Sequence, residues 1–576
     1  SLPPGRAVVR PPRSLCSLPP GGAVSALRPP GQALSLAATP RMPPPRRRAA
    51  RDAEISIATE IELKLALDAT AVPRLLRHAA LRSLRRGRTR TEQVFSTYFD
   101  SPDFRLQRAD IALRVRRVGR SWVQTVKGAP QAGAGLHARP EHEWPLPGPD
   151  VDLTRLVATP WKKLIAKAAR DGLVPCCTTD FSRRTIPLEF ADGATAELCV
   201  DLGEIRAECN GRARREPIAE IEVELRSGDA ANLFRLALAL AADLPLAVST
   251  ETKAARGYAL RRGWPRAVPS PVRASDIALA ADATTADALA AVARECLHQI
   301  AANAPGLVAD DDPEWIHQMR VGTRRLRSCL SLVARFGAAT VLDPVVAEVK
   351  WLAAILGRAR DWDVFVTETL PPLVASFTRD AKAAPGIGRL RARAAARRRA
   401  ARNDARAAVA SARFQRLLLT TGLACATPRF GAPPAAASGT ADPPGRRASV
   451  FAAELLARRH RNFVAIAAGL MHASDEERHA ARIAAKRLRY VAEFFAPLFP
   501  GKRTRSYIEA LAEVQDALGR LNDAVTAAAL AGELSGGGDN AAAGAVRGWV
   551  AAQAAAVEPS LAKAWRRFNA ATPFWP

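Results

Sequence analysis

Glu60-Ile61-Glu62-Leu63-Lys64-Leu65 alternates charged and apolar residues over six positions. Successive side chains of a β-strand point to opposite faces. Glu60, Glu62 and Lys64 therefore share one face, and Ile61, Leu63 and Leu65 the other. The pattern returns at Glu220-Ile221-Glu222-Val223-Glu224-Leu225, which sets three carboxylates on one face. It returns with opposite sign at Leu113-Arg114-Val115-Arg116, and with mixed sign at Arg139, Glu141 and Glu143. A half-exposed sheet with its charges in water explains any one of these strands. Same-sign carboxylates side by side repel, however, and need a cation. If such strands close into a barrel, the charged faces line a lumen and the apolar faces pack outward against helices. A lumen of that kind holds hard divalent cations on carboxylate oxygens and clamps phosphate with Arg and Lys.

Outward from this stretch, the chain has 576 residues, 84 Lys+Arg against 56 Asp+Glu, a net charge of +28 and 48% hydrophobic residues. That is enough apolar material for sizeable cores and excludes a wholly disordered chain. The most apolar candidate span, Leu233 to Val248, contains Arg235 and Asp243, which argues against an integral membrane protein. The eight cysteines form no CxxC pair, so neither a disulfide scaffold nor a structural zinc site is expected and a reducing cytosol fits. The positive excess calls for a polyanionic partner. Residues 1–51, rich in Pro and Arg, read as a disordered basic tail without a signal-peptide core. Met42 is the first Met; the residues before it read either as upstream translation or as a genuine tail. Short alternating strands fill 52–262, a Pro-rich linker 263–282, and Ala-, Leu- and Arg-rich helical periodicity 283–576, broken by loops at 426–447 and 535–544.

The first of these domains resembles the CYTH family, the triphosphate tunnel metalloenzymes. Glu60-Ile61-Glu62-Leu63-Lys64 matches its ExExK signature. Tyr98-Phe99-Asp100-Ser101-Pro102, Leu113-Arg114-Val115-Arg116, Thr125-Val126-Lys127 and Arg139-Pro140-Glu141-His142-Glu143 follow in the family's order. Arg183-Arg184, Glu220 to Glu224 and Thr252-Lys253-Ala254-Ala255-Arg256-Gly257-Tyr258 complete the set. The resemblance implies an eight-stranded antiparallel tunnel that hydrolyses or cyclises triphosphates with Mg²⁺ or Mn²⁺. It implies metal binding by Glu60, Glu62, Glu220 and Glu222, supported by Glu224. It implies triphosphate binding by Lys64, Arg114, Arg116, Lys127, Arg139, Arg183, Arg184 and Lys253, with Glu60, Glu62 and Lys64 carrying the catalysis.

The helical half repeats itself. His317-Gln318-Met319-Arg320-Val321-Gly322-Thr323-Arg324-Arg325-Leu326-Arg327 resembles His479-Ala480-Ala481-Arg482-Ile483-Ala484-Ala485-Lys486-Arg487-Leu488-Arg489, 162 residues later. Leu356-Gly357-Arg358 to Asp361 matches Leu518-Gly519-Arg520 to Asp523 at the same offset, which argues for duplication. His317, Arg320, Arg324 and Arg327 fall on one helix face, as do His479, Arg482, Lys486 and Arg489. A solvated charged face expects acidic residues nearby, yet none occurs from Trp315 to Leu342 or from Arg478 to Ala492. A polyanion explains such a stripe better. The pattern resembles the CHAD domain, a helical domain of two pseudo-symmetric bundles with a basic, polyphosphate-binding groove. The resemblance implies polyphosphate contacts from both stripes, with Arg325 and Arg487 included. The run Arg391, Arg393, Arg397, Arg398, Arg399, Arg402 and Arg406 reads either as an extension of that groove or as a solvated helix.

The expectation is thus an α+β chain: an antiparallel β tunnel followed by an all-α domain. Its expected activity is metal-dependent hydrolysis of inorganic triphosphate beside a polyphosphate-binding domain, in a cytoplasmic protein associated with polyphosphate granules. A non-catalytic polyphosphate binder and an adenylate cyclase are the alternatives. Carboxylates in the lumen favour the enzyme. Neither a membrane nor a specific nucleic acid is expected as partner: zinc-finger spacing and base-stacking aromatics are missing from the basic helices. The sequence leaves the oligomeric state open.

Overall fold

The computed structural model describes residues 57–128, 131–133, 135–263, 270–334, 339–377, 383–427, 430, 445–534 and 540–576. The expected basic tail lies outside these residues, as do parts of the expected linker and of both expected helical-domain loops.

The strands are β1 Ile57–Ala66, β2 Arg90–Asp100, β3 Ala112–Val118, β4 Ser121–Lys127, β5 Gln131–Gly133, β6 Leu136–Leu146, β7 Val174–Glu189, β8 Thr195–Cys209, β9 Arg212–Ser227 and β10 Ala247–Val248. Helices α1 Val72–Arg77, α2 Ala79–Leu84, α3 Lys162–Arg170, α4 Ala231–Leu240 and α5 Lys253–Arg261 accompany them. All pairings are antiparallel in the order β1-β9-β8-β7-β2-β3-β4-β6, and β6 pairs back to β1, so eight strands close a barrel. A closed barrel has no unpaired edge.

Register follows from the turns. Asn210 and Gly211, both with positive φ, make the two-residue turn between β8 and β9. That turn geometry fits the twist of a hairpin and fixes its pairing. Asp201 thereby lies opposite Glu220, and Cys199 opposite Glu222. On β1, Lys64 lies opposite Glu222 and Glu62 opposite Glu224. The apolar partners face outward. Leu63, Leu65, Leu198, Val200, Ile221 and Val223 are buried in one cluster with Leu233, Phe234, Leu236 and Leu240 of α4.

The second region is helical: α6 Thr285–Ala309, α7 Pro313–Val333, α8 Ala339–Val364, α9 Leu370–Phe377, α10 Ala384–Ala410, α11 Ala412–Ala426, α12 Ala448–Ala467, α13 Asp475–Phe495, α14 Lys502–Glu533 and α15 Asn540–Asn569. Both ends of α7 map onto α13 at the 162-residue offset. Their N-caps correspond too: Asp312 accepts from the Glu314 amide, and Ser474 forms a capping box with Glu477. The duplication is therefore written in helix boundaries as well as in basic residues.

The two regions touch through α11 and α4. Leu419 and Ala426 join the core cluster of the barrel's outer face. A Cβ on Gly422 would come within 2.2 Å of the Phe234 ring, so the helix needs a residue without one there. The Val248 amide donates to Gln415 Oε1 at 2.9 Å, which ties α11 to the strand beside β1.

Candidate active site and basic helical groove

Alternation on β1, β3, β6 and β9 turns successive charged residues into the barrel interior, and β7 and β8 add Arg183 and Asp201. Glu62, Lys64, Arg114, Arg139, Asp201, Glu220, Glu222 and Lys253 are all buried. Lys253 enters from the first turn of α5, capped by Thr252, whose hydroxyl accepts from the Ala255 amide.

The sequence reading has the acidic faces repelling for want of a cation; the structure neutralises them with the chain's own. Lys64 Nζ donates to Glu222 Oε1 at 2.6 Å and lies 3.5 Å from Glu62. Lys253 contacts Asp201 at 2.7 Å, Glu222 at 2.9 Å and also Glu220. Arg183 donates from Nε and Nη2 to Asp201 at 2.8 and 2.6 Å, and reaches Glu222 as well. Burial alone would push the Glu222 carboxyl up, but Lys253, Lys64 and Arg183 hold it well below its ordinary range. Asp201 is likewise held down by Lys253 and Arg183 against its burial. Burial would lower Lys64; Glu222, Glu62 and Glu220 outweigh it and raise the ammonium. Burial, with Lys64 and Arg139 nearby, pushes His137 down to about 3, so its ring is neutral.

A second group lines the opposite wall. Lys127 pairs with Glu60 and lies 3.2 Å from Glu141. Arg114 lies 3.4 Å from Glu141 and 3.7 Å from Glu143, and Thr125 donates to Glu143 at 2.9 Å. Arg116 differs from all of these. Its Nε reaches Ser96 Oγ at 3.4 Å, and no carboxylate among the described residues pairs with it. Burial, with Arg114 and Arg183 close by, pulls its guanidinium down to about 10. The Nε groups of Arg114 and Arg139 are buried without a hydrogen-bond partner. A cation with no carboxylate at ion-pair distance, opposed only by the more distant Glu143 and set beside orphaned donors, suits an anion.

Asp201, Glu220 and Glu222 each offer an oxygen within 4.8 Å of the others'. Among the described residues this is the group placed to share one ion, and it divides the expected metal set. Glu60 is drawn to Lys127, Glu62 to Lys64 and Arg139, and Glu224 to Arg226 at 2.6 Å. Burial pushes the Glu224 carboxyl up to about 7, helped by Glu60 and opposed by Arg226. Arg184 is not brought into the lumen. Its neighbour Arg183 points inward, so the period of two turns Arg184 outward, where it is exposed.

In the helical region the two stripes converge. Arg320 lies 3.6 Å from Asp361, Arg324 Nε donates to the Tyr490 hydroxyl at 3.2 Å, and Arg482 donates to Asn522 at 2.9 Å. Nδ1 of His479 meets the same Asn522 oxygen at 3.2 Å. Burial pulls Lys486 down to about 7, assisted by Arg482 of its own helix and by Arg324 and Arg320 of the other. His317 is lowered by burial and by Arg360, Arg324 and Arg320. Other stripe residues are used differently. Arg325 is buried over the Phe494 ring, 3.6 Å from Glu493, and Arg489 donates to Glu493 at 2.7 Å. Glu493 stands one residue beyond the acid-free window read from sequence. Arg327 and Arg487 are exposed. On α10, Arg398 and Arg402 hold buried Asp363 and so serve the core, while Arg406 pairs with exposed Asp311.

With this geometry in place, the comparisons are specific. Residues 58–258 match the CYTH domain, and residues 291–532 match the CHAD domain. The chain carries a CYTH domain followed by a CHAD domain. It is 31% identical over 205 residues to an inorganic triphosphatase of Haemophilus influenzae, a match covering 35% of this chain and 54% of that protein. The chain thus spans about half the length of that curated relative. The CHAD domain from Ricinus communis is 35% identical, covering 52% of this chain and 97% of that one, with a TM-score of 0.44. A Hippeastrum adenylyl cyclase candidate with a dominant triphosphatase activity is 20% identical, covering 36% and 99%, with a TM-score of 0.26.

Sequence reasoning missed Asp201 in the CYTH tunnel, and Glu141 and Glu143 as the counter-charges of Arg114 and Lys127. The signal for Asp201 was present. Asn210-Gly211 is a two-residue hairpin turn, and counting back from it pairs Asp201 with Glu220. The seven described cysteines are free and buried, and among the described residues no helix is long and apolar enough to cross a membrane.

Proposed function

We propose that the CYTH tunnel hydrolyses inorganic triphosphate with the help of Mg²⁺ or Mn²⁺, and that the CHAD domain holds inorganic polyphosphate. The observation that carries the first part is a pairing of opposites in one lumen. The Asp201–Glu220–Glu222 oxygens stand within 4.8 Å of one another, while Arg116 has no carboxylate partner. A pure anion binder gains nothing from such carboxylates.

Asp201, Glu220 and Glu222 offer the oxygen donors that a hard divalent cation takes, and Lys253 now neutralises them. When bound, the metal supplies charge neutralisation at the phosphoryl oxygens and a more acidic water. Arg116, Arg114 and Arg139 present guanidinium donors to the phosphate oxygens, and Lys127 adds a point charge. Lys64 and Arg183 keep Glu222 ionised, so the acidic wall stays ready at neutral pH. Glu60 and Glu62, on β1 with Lys64, orient the attacking water. Phosphoryl transfer needs little more from a protein than this positioning and charge stabilisation.

In the CHAD domain, Arg320, Arg324, Arg482 and Lys486 form one cationic patch from two helices, with His317 and His479 at its side. A flexible polyanion spanning both stripes gains from effective concentration. The domains are taken as 52–262 and 283–576, joined by the linker 263–282, in a cytoplasmic protein associated with polyphosphate granules.

The test is orthophosphate release from inorganic triphosphate, ATP and long-chain polyphosphate, with each metal. Triphosphate should give the highest kcat/KM. A higher value for ATP, with cyclic product, would move the assignment to a cyclase. Binding without release from any of them would make the chain a polyphosphate binder.

A further inference from the structure

Arg184, turned out of the tunnel, lines a cavity of about 310 Å³ on the barrel's outer wall with Leu76, Leu81, Arg82, Arg85, Thr89, Thr91 and Ile186. We propose that this cavity is a second phosphate site, which takes a short oligophosphate outside the tunnel.

Three observations converge. First, Arg82, Arg85 and Arg184 line it together, and among the described residues none of them has a carboxylate partner. Neighbouring surface arginines do: Arg86 lies 3.5 Å from Glu189 and Arg90 3.2 Å from Glu197. Second, two hydroxyl-bearing residues share the lining with the arginines. Thr91 stands opposite Arg184 across the β2–β7 ladder, and the Thr89 hydroxyl is buried without a hydrogen-bond partner. Third, the frame is fixed. Arg85 bridges to Leu188 of β7, and the Arg86 amide donates to the Pro187 carbonyl at 2.9 Å. Leu81 and Ile186 form a buried floor.

Three exposed arginines lining one small cavity, none with a carboxylate partner, favour a ligand with several negative charges. They match the bidentate geometry of phosphate oxygens. The adjoining cavity, lined by Arg88, Arg90 and Glu92, mixes both signs and lacks that preference. Binding at this outer site needs no turnover in the tunnel.

The experiment uses the full chain with a metal chelator present, so that nothing is hydrolysed. Arginines are modified with phenylglyoxal, with and without inorganic triphosphate, and each site is read by peptide mass spectrometry. Arg82, Arg85 and Arg184 should be protected about tenfold, as expected for charge-assisted hydrogen bonds, with one common half-saturation. Exposed Arg212 should not be protected. Equal modification of the three with and without triphosphate overturns the site. So does equal protection by sulfate at the same ionic strength, which would mean diffuse attraction only. Arg184→Glu supplies a second arm. It should remove protection of Arg82 and Arg85 while tunnel Arg116 keeps its own; unchanged protection of Arg82 and Arg85 would show that they form no joint site.

Discussion

The tunnel and the helical groove both gather arginine and lysine, but they balance those charges to different degrees. In the tunnel, Lys64, Lys127, Arg114, Arg183 and Lys253 each pair with a carboxylate. In the groove, Arg320 lies 3.6 Å from Asp361, but Arg324 meets a tyrosine hydroxyl, Arg482 an asparagine, and Lys486 sits among Arg482, Arg324 and Arg320 with Asp523 as its opposing charge. A surface that only holds an anion needs uncompensated positive charge. A site that also carries out phosphoryl chemistry keeps carboxylates ready for a cation, and must restrain them meanwhile. The contrast predicts different responses to charge removal.

Glu222→Gln should produce the largest effect. Its carboxylate meets Lys64, Arg183 and Lys253 at once, so its loss leaves buried cations short of a partner, at a cost of about 3 kcal/mol. Phosphate release should fall roughly a thousandfold, the scale of a lost metal contribution. Thermal melting and phosphate release check the two parts. Full activity in a folded variant would break the account of the tunnel.

Arg116→Met should separate binding from stability. With no carboxylate partner, Arg116 costs the folded protein its desolvation and contributes little. The variant should melt no lower than the parent, yet lose about 10- to 100-fold in kcat/KM for triphosphate, the worth of a charge-assisted hydrogen bond. A marked loss of stability would mean that Arg116 has a structural partner.

In the groove, Arg324→Gln and Lys486→Gln should each weaken polyphosphate binding about tenfold. The salt dependence should lose roughly 0.7–0.9 in log–log slope per contact, by analogy with nucleic acids. Combined, the two should cost less than their sum, because they neutralise one ligand from facing helices. Strict additivity would mean two separate surfaces. Triphosphate hydrolysis should be unchanged.

The smallest effect is a pH dependence. Burial and the neighbouring Arg482, Arg324 and Arg320 pull the Lys486 ammonium down to about 7. A bound polyanion favours the ammonium and raises that value, so binding above about pH 7 should take up protons. Affinity should then fall as pH rises past 7. Stability runs the other way: the folded value lies below the unfolded 10.5, so burying this lysine costs most below pH 7 and progressively less up to 10.5. Titration calorimetry in buffers of different ionisation enthalpy reads the uptake, and Lys486→Gln should abolish it.

Much of this was legible in the sequence because it depends on period. Alternation at Glu60 to Leu65 and Glu220 to Leu225 places carboxylates inside and leucines outside, and the barrel bears that out. The 162-residue offset becomes matched boundaries of α7 and α13. What escaped depends on pairing across strands and helices. Arg183 and Arg184 are adjacent in sequence, and only strand phase tells that one enters the lumen. Asp201 stands alone among apolar neighbours in β8, and its significance arises from its register with Glu220. Glu493 neutralises Arg325 from another helix, which no local window could reveal.

The central claim is that tunnel carboxylates and a divalent cation act together on triphosphate. Its most direct test is orthophosphate release from inorganic triphosphate by the full chain, stripped with a chelator and titrated with Mg²⁺ or Mn²⁺. The account predicts no release without metal and a saturable rise with it. Undiminished release in the stripped protein, or none at any metal concentration, would contradict it.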